Sequence, residues 1–164
     1  MPRTENNTRP GVKTDSKENS LAPILLLFSD DEALATFVDK VVTPPWKLVR
    51  HGADKYGSRE AFAQPNVRVV IFDDQTVDED DRGWMLARIR KHLSGSSLMY
   101  VAGSQSDANE KRARANGAHY YTSKPLSVER FGQVLRSFLL AQQFAGRSGH
   151  SKVGGRPESA GSKT

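Results

Sequence analysis

Apolar residues between positions 23 and 143 follow two patterns that alternate along the chain. Short apolar runs bounded by polar residues are typical of strands that are buried on both faces. Such runs predict five strands, at 23–28, 46–50, 67–72, 98–101 and 119–122. Apolar residues spaced i, i+3, i+4 and i+7 line one face of an amphipathic helix. This spacing, or a charged stretch of similar length, predicts helices at 34–41, 56–63, 84–93, 107–116 and 128–139.

Residues that start or stop helices support these boundaries. The Pro44–Pro45 pair ends the first helix, because proline lacks the amide hydrogen that a helix interior needs. Gly117 suits the left-handed position that follows a helix, and Ser127 can accept a hydrogen bond from the first turn of the last helix. The helix at 56–63 is the weakest prediction, because it contains Gly57.

Strands and helices therefore alternate through five repeats, and this order predicts the fold class. It is an α/β domain with a (βα)5 doubly wound, five-stranded parallel sheet of flavodoxin-like architecture. In such sheets, binding sites form outside the carboxyl ends of the strands. The residues at those ends are Ser29, Asp30, Asp73, Ala102 and Lys124. We expect these side chains to converge on one edge of the sheet.

The two ends of the chain differ in composition from this central part. Hydrophobic residues make up 37% of the chain, and residues 1–22 and 144–164 contribute few of them. Segments with so little apolar surface cannot offset the entropy that is lost on ordering. The sequence therefore predicts one domain at 23–143 between a disordered N-terminal tail and a disordered basic C-terminal tail. The C-terminal tail is too short and too polar for a DNA-binding or enzymatic domain.

The formal charge of +5 is concentrated at the C-terminus, where residues 144–164 carry four cations and one acid. A basic tail attracts polyanions weakly, so polyanion binding through the tails is one hypothesis, whereas specific recognition of nucleic acid is not favoured. The chain has no cysteine, no apolar run long enough to span a bilayer and no apolar N-terminal segment typical of secretion. We therefore expect a cytoplasmic protein without a membrane partner.

Acidic residues follow two of the predicted strands, and a lysine follows a third. Asp30 and Asp31 come after the first strand, Asp73 and Asp74 after the third, and Lys124 after the fifth. Carboxylates that face each other repel unless a cation lies between them, and Mg²⁺ prefers oxygen ligands of this kind. A carboxylate near Mg²⁺ and a lysine can act as a nucleophile towards a phosphoryl group, because both cations neutralise charge on the transferring oxygens.

Four segments carry a resemblance to a known family. They are LLLFSDD at 25–31, VRVVIFDD at 67–74, LMYVAG at 98–103 and GAHYYTSKPLS at 117–127. In this order and spacing they resemble the receiver domain of response regulators in two-component signalling, and the similarity covers residues 23–143. The last segment is the most specific, because a Gly-Ala pair, an aromatic residue and then Lys-Pro precede a capped helix.

The resemblance implies a role for residues at the sheet edge. Asp73 matches the aspartate that accepts the phosphoryl group, and Asp30 matches the acid that binds Mg²⁺ directly. The metal site would consist of Asp30, Asp73 and the backbone carbonyl of Gln75. Lys124 would contact the phosphoryl group, and Tyr121 matches the aromatic residue that rotates when receivers switch.

Three features depart from the family pattern. Ser29 replaces the first acid of the pair in which Asp30 is the second, so Mg²⁺ binding is expected to be weaker. Ala102 replaces the Ser or Thr whose hydroxyl meets the phosphoryl group, which compromises the link to Tyr121. The loop after the third strand is longer than usual, lacks a proline and carries acids at 78–81, which are interpreted as a solvated face.

These features lead to a first hypothesis and an alternative. The first is a stand-alone receiver, not an enzyme, that accepts a phosphoryl group on Asp73 from a histidine kinase or phosphotransfer protein and then binds a downstream protein partner. The resemblance implies that the helix at 107–116, the fifth strand and the last helix form the partner surface. The alternative is a degenerate receiver that acts as a phosphorylation-independent adaptor. A hydrolase site is disfavoured. Asp74 is interpreted as a solvated neighbour of Asp73. Whether the chain forms a homodimer is left open.

Overall fold

The computed structural model describes residues 22–52 and 57–145, and the rest of the predicted tails lies outside this part. The strands in it are β1 (Ile24–Phe28), β2 (Lys47–His51), β3 (Val67–Asp73), β4 (Ser97–Ala102) and β5 (Ala118–Ser123). The helices are α1 (Glu32–Val41), α2 (Gly57–Phe62), α3 (Glu79–His92), α4 (Asp107–Ala115) and α5 (Val128–Ala145), and a 3-10 turn covers Asp74–Thr76. The predicted alternation of strands and helices is confirmed.

The five strands pair in parallel in one sheet, in the order β2-β1-β3-β4-β5. This order confirms the predicted doubly wound α/β fold. The winding reverses at β1, because β2 lies on one side of it and the later strands lie on the other. Such a reversal opens a crevice at the carboxyl ends of the two strands that flank it, which here are β1 and β3.

Alternate strand residues build two cores, one on each face of the sheet. Leu25 and Leu27 pack with residues of α1 and α5 on one face. Leu26 and Phe28 pack with residues of α2, α3 and α4 on the other. All four side chains have no exposed surface, which explains why β1 reads as an unbroken apolar run rather than an alternating one.

Helix α3 begins earlier than the sequence pattern predicts. The predicted start is Trp84 and the observed start is Glu79, so the prediction of a loop is wrong from Glu79 onwards. The interpretation of the acids at 78–81 as a solvated face fits residues 78–80, which are exposed, and Asp81 is partly buried. Acidic side chains in a first turn lie at the positive end of the helix dipole, and therefore favour a helix start at this point. Gly117 has a φ of 89°, as expected for the residue that ends α4.

Helix α5 continues to Ala145, beyond the predicted end of the domain at 143. The Phe131 amide donates to the Ser127 carbonyl at 2.8 Å, which places the start of the helix where the sequence predicts it. Leu140 and Phe144 on this helix are more than half exposed. Among the described residues, no helix is long and apolar enough to cross a membrane.

Candidate functional site

The carboxyl ends of β1, β3 and β5 bring the predicted site residues to one edge of the sheet. Asp73 is the last residue of β3 and is only 1% exposed. The Ser29 hydroxyl donates to its Oδ2 at 2.8 Å, and the Lys124 Nζ donates to the same oxygen at 2.9 Å. The Gln75 amide donates to Oδ1 at 3.2 Å. The predicted convergence of Ser29, Asp73 and Lys124 is therefore observed.

Ser29 and Lys124 provide the buried Asp73 carboxylate with a hydrogen bond and an ion pair. A buried charge is costly unless it is paired and hydrogen-bonded, and Asp73 is both. The Ser29 side chain is fully buried and also accepts a hydrogen bond from the Asp31 amide at 3.0 Å. A second acid at position 29 would face Asp73 with like charge, whereas the serine hydroxyl adds a neutral donor instead.

Lys124 has three oxygen partners at this edge. Its Nζ lies 2.8 Å from Asp31 Oδ2, 2.9 Å from Asp73 Oδ2 and 2.9 Å from Gln75 Oε1. Partial burial lowers the pKa of Lys124, but the bonds from Asp31 and Asp73 and their negative charges outweigh it, so the pKa is raised above 10.5. Lys124 is thus a cation at neutral pH, and its ammonium lies beside the Asp73 carboxylate. For Gln75 only a role of the backbone carbonyl was predicted, yet its side chain is also part of the site.

Sequence reasoning placed Asp31 among the acids at this edge but gave it no role in the site. Its Oδ1 caps α1 by accepting from the amides of Ala33 and Leu34, at 2.9 and 3.1 Å. Its Oδ2 takes the ion pair with Lys124, and this hydrogen bond is the largest of the causes that lower the pKa of Asp31 below 3.8. An acid directly before a predicted helix was the available signal, because aspartate is a preferred N-cap residue.

Asp30 lies at the same edge with a different orientation. Its amide donates to the Thr76 hydroxyl at 3.2 Å, which ties the end of β1 to the turn after Asp73. Its side chain is exposed, and its carboxylate makes no hydrogen bond or ion pair with the described residues. The Asp30 carboxylate is therefore available as a metal ligand. The other two predicted ligands, Asp73 and the Gln75 carbonyl, belong to the segment that this hydrogen bond joins to the end of β1.

Carboxylate and carbonyl oxygens, the predicted ligands, are the kind that Mg²⁺ prefers, and this ion takes few carboxylates and keeps several waters. The set is small, because within 22–52 and 57–145 no group of three histidine, aspartate or glutamate side chains is placed to hold a metal ion. The Asp73 carboxylate already accepts from Ser29, Lys124 and the Gln75 amide, so a metal ion would share its oxygens with these donors. A Mg²⁺ ion here would rest on two carboxylates, one carbonyl and water.

Ala102 and Tyr121 occupy the positions that the sequence predicts, at the ends of β4 and β5. Ala102 is fully buried, and its carbonyl accepts from the Lys124 amide at 2.8 Å. Its methyl group cannot bond to an anion beside Asp73. Tyr121 is partly buried and stacks on Tyr100 with ring centroids 5.6 Å apart and an interplanar angle of 17°. Tyr121 therefore contacts the aromatic neighbour on β4 rather than a hydroxyl side chain at position 102.

Asp74 is not the solvated neighbour that we predicted, because it is only 1% exposed. Its Oδ1 accepts from the Gly103 amide at 2.7 Å, and its Oδ2 accepts from the Tyr100 hydroxyl at 3.0 Å. The Arg82 guanidinium lies 3.7 Å from the same Oδ2. Successive side chains at a strand end point to opposite faces, so Asp74 enters the core opposite Asp73. A tyrosine in an otherwise aliphatic β4 was the signal for a buried polar partner.

A comparison with protein-family models gave no match, and a comparison with the curated proteins gave none either. Solved structures do match the described fold. A response regulator from Thermotoga maritima has a TM-score of 0.62 at 11% identity, over 73% of this chain and 99% of that one. A CheY-like receiver domain protein from Methanospirillum hungatei JF-1 has a TM-score of 0.61 at 20% identity, over 77% and 100%.

A third match is the signal receiver domain of an HD domain-containing protein from Pseudomonas fluorescens Pf-5. Its TM-score is 0.60 at 22% identity, over 74% of this chain and 98% of that chain. Likenesses at such identities show the fold. The chain therefore contains a response-regulator receiver fold, as the resemblance in its sequence implied.

Proposed function

We propose that this chain is a receiver module of two-component signalling that accepts a phosphoryl group on Asp73. The observation that carries the proposal is the buried Asp73 carboxylate with the Lys124 ammonium 2.9 Å from its Oδ2. A carboxylate can act as a nucleophile towards phosphorus, and a fixed cation beside it stabilises the charge that develops on the transferring oxygens. The position of both groups at the β1–β3 crevice supports the same conclusion.

In the proposed step, an Asp73 oxygen forms a bond to phosphorus while the bond from phosphorus to the donor's imidazole nitrogen breaks. The electron pair of the broken bond stays on the imidazole, and the product is an acyl phosphate on Asp73. Lys124 must exchange part of its hydrogen bonding to Asp31 and Gln75 for hydrogen bonds to the new phosphoryl oxygens. Mg²⁺ bound by Asp30, Asp73 and the Gln75 carbonyl would supply further positive charge when present.

The partners in this proposal are a histidine kinase or phosphotransfer protein as donor and a downstream protein as receiver of the signal. The output is a protein contact, so the role is not that of an enzyme, and the setting is the cytoplasm. The resemblance to receivers supports the face formed by α4, β5 and α5 as the contact surface for the downstream protein.

The test is to add beryllofluoride or acetyl phosphate with millimolar Mg²⁺ to the full chain and to follow Asp73. We expect an adduct on Asp73, detected by intact mass for the phosphoryl group and by spectral shifts for beryllofluoride. The matched control is Asp73→Asn, which keeps the shape of the side chain but cannot form the acyl phosphate. No adduct on the unaltered chain at millimolar Mg²⁺ would refute this function.

A second function, that of a phosphorylation-independent adaptor, is favoured by a separate observation. Ala102 offers no hydroxyl at the acceptor, and the β4 residue that contacts Tyr121 is Tyr100. This function predicts that Asp73→Ala leaves the NMR resonances of α4 and α5 unchanged. It also predicts that beryllofluoride does not shift these resonances. Shifts in α4 that depend on Asp73 would exclude it.

A further inference from the structure

The β4–α4 loop, residues 103–106, is held by a hydrogen bond to the Asp74 carboxylate. Asp74 Oδ1 accepts from the amide of Gly103 at 2.7 Å, at the point where the loop leaves β4. This length is at the short end of the range for hydrogen bonds from an amide to an oxygen. Hydrogen bonds to an ionised acceptor are stronger than those between neutral groups. The start of the loop is therefore bound to a fixed anion.

The other oxygen of Asp74 connects to the tyrosine pair on β4 and β5. Its Oδ2 accepts from the Tyr100 hydroxyl at 3.0 Å, and the Tyr100 ring stacks on Tyr121. Tyr100 is only 3% exposed, so its hydroxyl has no access to bulk water as a substitute partner. Burial is the first cause, and the charge of Asp74 the second, that raise the pKa of Tyr100 well above 10. Tyr100 thus stays a hydrogen-bond donor throughout the physiological range.

Charge rather than shape explains why an acid stands at position 74. An uncharged acceptor could satisfy the Gly103 amide alone, but burying a carboxylate is unfavourable unless several donors compensate it. Asp74 has two hydrogen-bond donors, and the Arg82 side chain bonds the Asp74 carbonyl at 3.0 Å while its guanidinium lies near Oδ2. The turn after β3, the loop after β4 and the first turns of α3 are consequently tied to one residue.

We infer that Asp74 is a positioning residue that sets the β4–α4 loop and the Tyr121 ring in one arrangement without any group on Asp73. Asp73 and Asp74 are neighbours in the chain but have separate partners, Ser29 and Lys124 for the first and Tyr100 and Gly103 for the second. The anion that holds the loop is therefore already present in the unmodified protein. This inference goes beyond the proposed function and does not depend on phosphoryl transfer.

The experiment measures amide hydrogen exchange and tyrosine ring resonances by NMR on the full chain, without phosphate, beryllofluoride or Mg²⁺. Asp74→Asn keeps the side-chain shape and removes the charge. We expect exchange at Gly103 to accelerate about 5- to 10-fold, because the asparagine oxygen can still accept from the amide but without the charge that strengthens the bond. We also expect the Tyr121 ring resonances and the amides at 104–106 to shift. The Met99 amide, deeper in β4, serves as the reference for global stability.

Two further variants keep the inference testable if Asp74→Asn does not fold. Tyr100→Phe removes only the hydroxyl that bonds to Asp74 and should still shift the Tyr121 ring and the loop amides. Tyr120→Phe removes a hydroxyl from the opposite face of β5 and should leave both unchanged. Effects of Asp74→Asn or Tyr100→Phe that are confined to the Gly103 amide would overturn the inference. Equal acceleration of amide exchange at Gly103 and Met99 would also overturn it. Because no donor or metal is present, this outcome is independent of whether Asp73 accepts a phosphoryl group.

Discussion

Lys124 bonds to Asp31 at 2.8 Å, as closely as it bonds to Asp73 at 2.9 Å. One carboxylate follows β1 and caps α1, and the other ends β3. The ammonium is therefore shared between a structural partner and a chemical one. Any anion that binds beside Asp73 must therefore compete with Asp31 for the Lys124 ammonium.

Asp31→Asn is expected to weaken the hold on Lys124 while keeping the cap of α1, since asparagine is also a good N-cap residue. The Asp31 side chain is 33% exposed, so solvent screens the pair and the loss in unfolding free energy should be below about 1 kcal/mol. Asp31→Ala also loses the cap and should lose about 1 kcal/mol more. Urea unfolding of the three proteins measures both differences, and equal stability of the two variants would contradict the capping role.

The contribution of Asp31 to stability has a defined pH dependence. Its pKa is lowered in the folded protein, so the contribution is complete above the unfolded value of 3.8 and is lost as the pH falls through the folded value. Unfolding free energies measured from neutral to strongly acidic pH should fall less steeply for Asp31→Asn than for the unaltered chain. Identical acid limbs would contradict the ion pair with Lys124.

The alkaline limb is expected to depend on Tyr100 and Lys124. Both have raised pKa values in the folded protein, from 10.0 and 10.5 respectively. Their contributions are therefore complete below these values and are lost as the pH rises beyond them. Tyr100→Phe should flatten the alkaline limb of the unfolding free energy, and Tyr120→Phe serves as the matched control. Tyrosinate absorbance of the native protein should show two tyrosines with a raised pKa, Tyr100 and Tyr121, and Tyr100→Phe should remove one of them.

Gly103→Ala is expected to disturb the Lys124 site through Gln75. A Cβ at position 103 would collide with Gln75 Cγ, so the Gln75 side chain must move and release Lys124. Overpacking of this kind costs about 1–3 kcal/mol. Gly83→Ala is the control, because nothing lies within 4 Å of its Cβ and alanine stabilises an exposed helix by about 0.5–1 kcal/mol. Thermal unfolding should therefore move in opposite directions for the two variants.

Ala102→Ser is expected to strengthen beryllofluoride binding if Asp73 is the acceptor, because the new hydroxyl adds a donor beside the ligand. A buried hydroxyl without a partner costs about 1–3 kcal/mol, so the free protein should be less stable. Ala113→Ser adds the same group at another fully buried position in the same core, and should lose stability without any gain in binding. Titrations at fixed Mg²⁺ compare the three affinities, and no gain for Ala102→Ser would count against a phosphoryl group at this position.

Much of the site could be predicted from the sequence because it depends on where strands end. In a parallel sheet, the carboxyl ends of the strands share one edge, so Asp73 and Lys124 meet whatever the loops do. Asp31 and Asp74 could not be assigned in this way. Asp31 lies three residues beyond the end of β1 and Asp74 one residue beyond the end of β3, where the turn that follows decides which way each side chain points.

Hydrophobic periodicity by itself determined the five repeats, the parallel sheet and the position of Asp73, because buried strands and amphipathic helices leave distinct patterns of apolar residues. Only the tertiary structure decided that Lys124 is divided between Asp31 and Asp73, and that Asp74 enters the core beside Tyr100 and Gly103. Those contacts join residues that are 26 to 93 positions apart, and their geometry depends on how the ends of four strands, β1, β3, β4 and β5, and their loops pack at one edge. A local pattern carries no information about such distances.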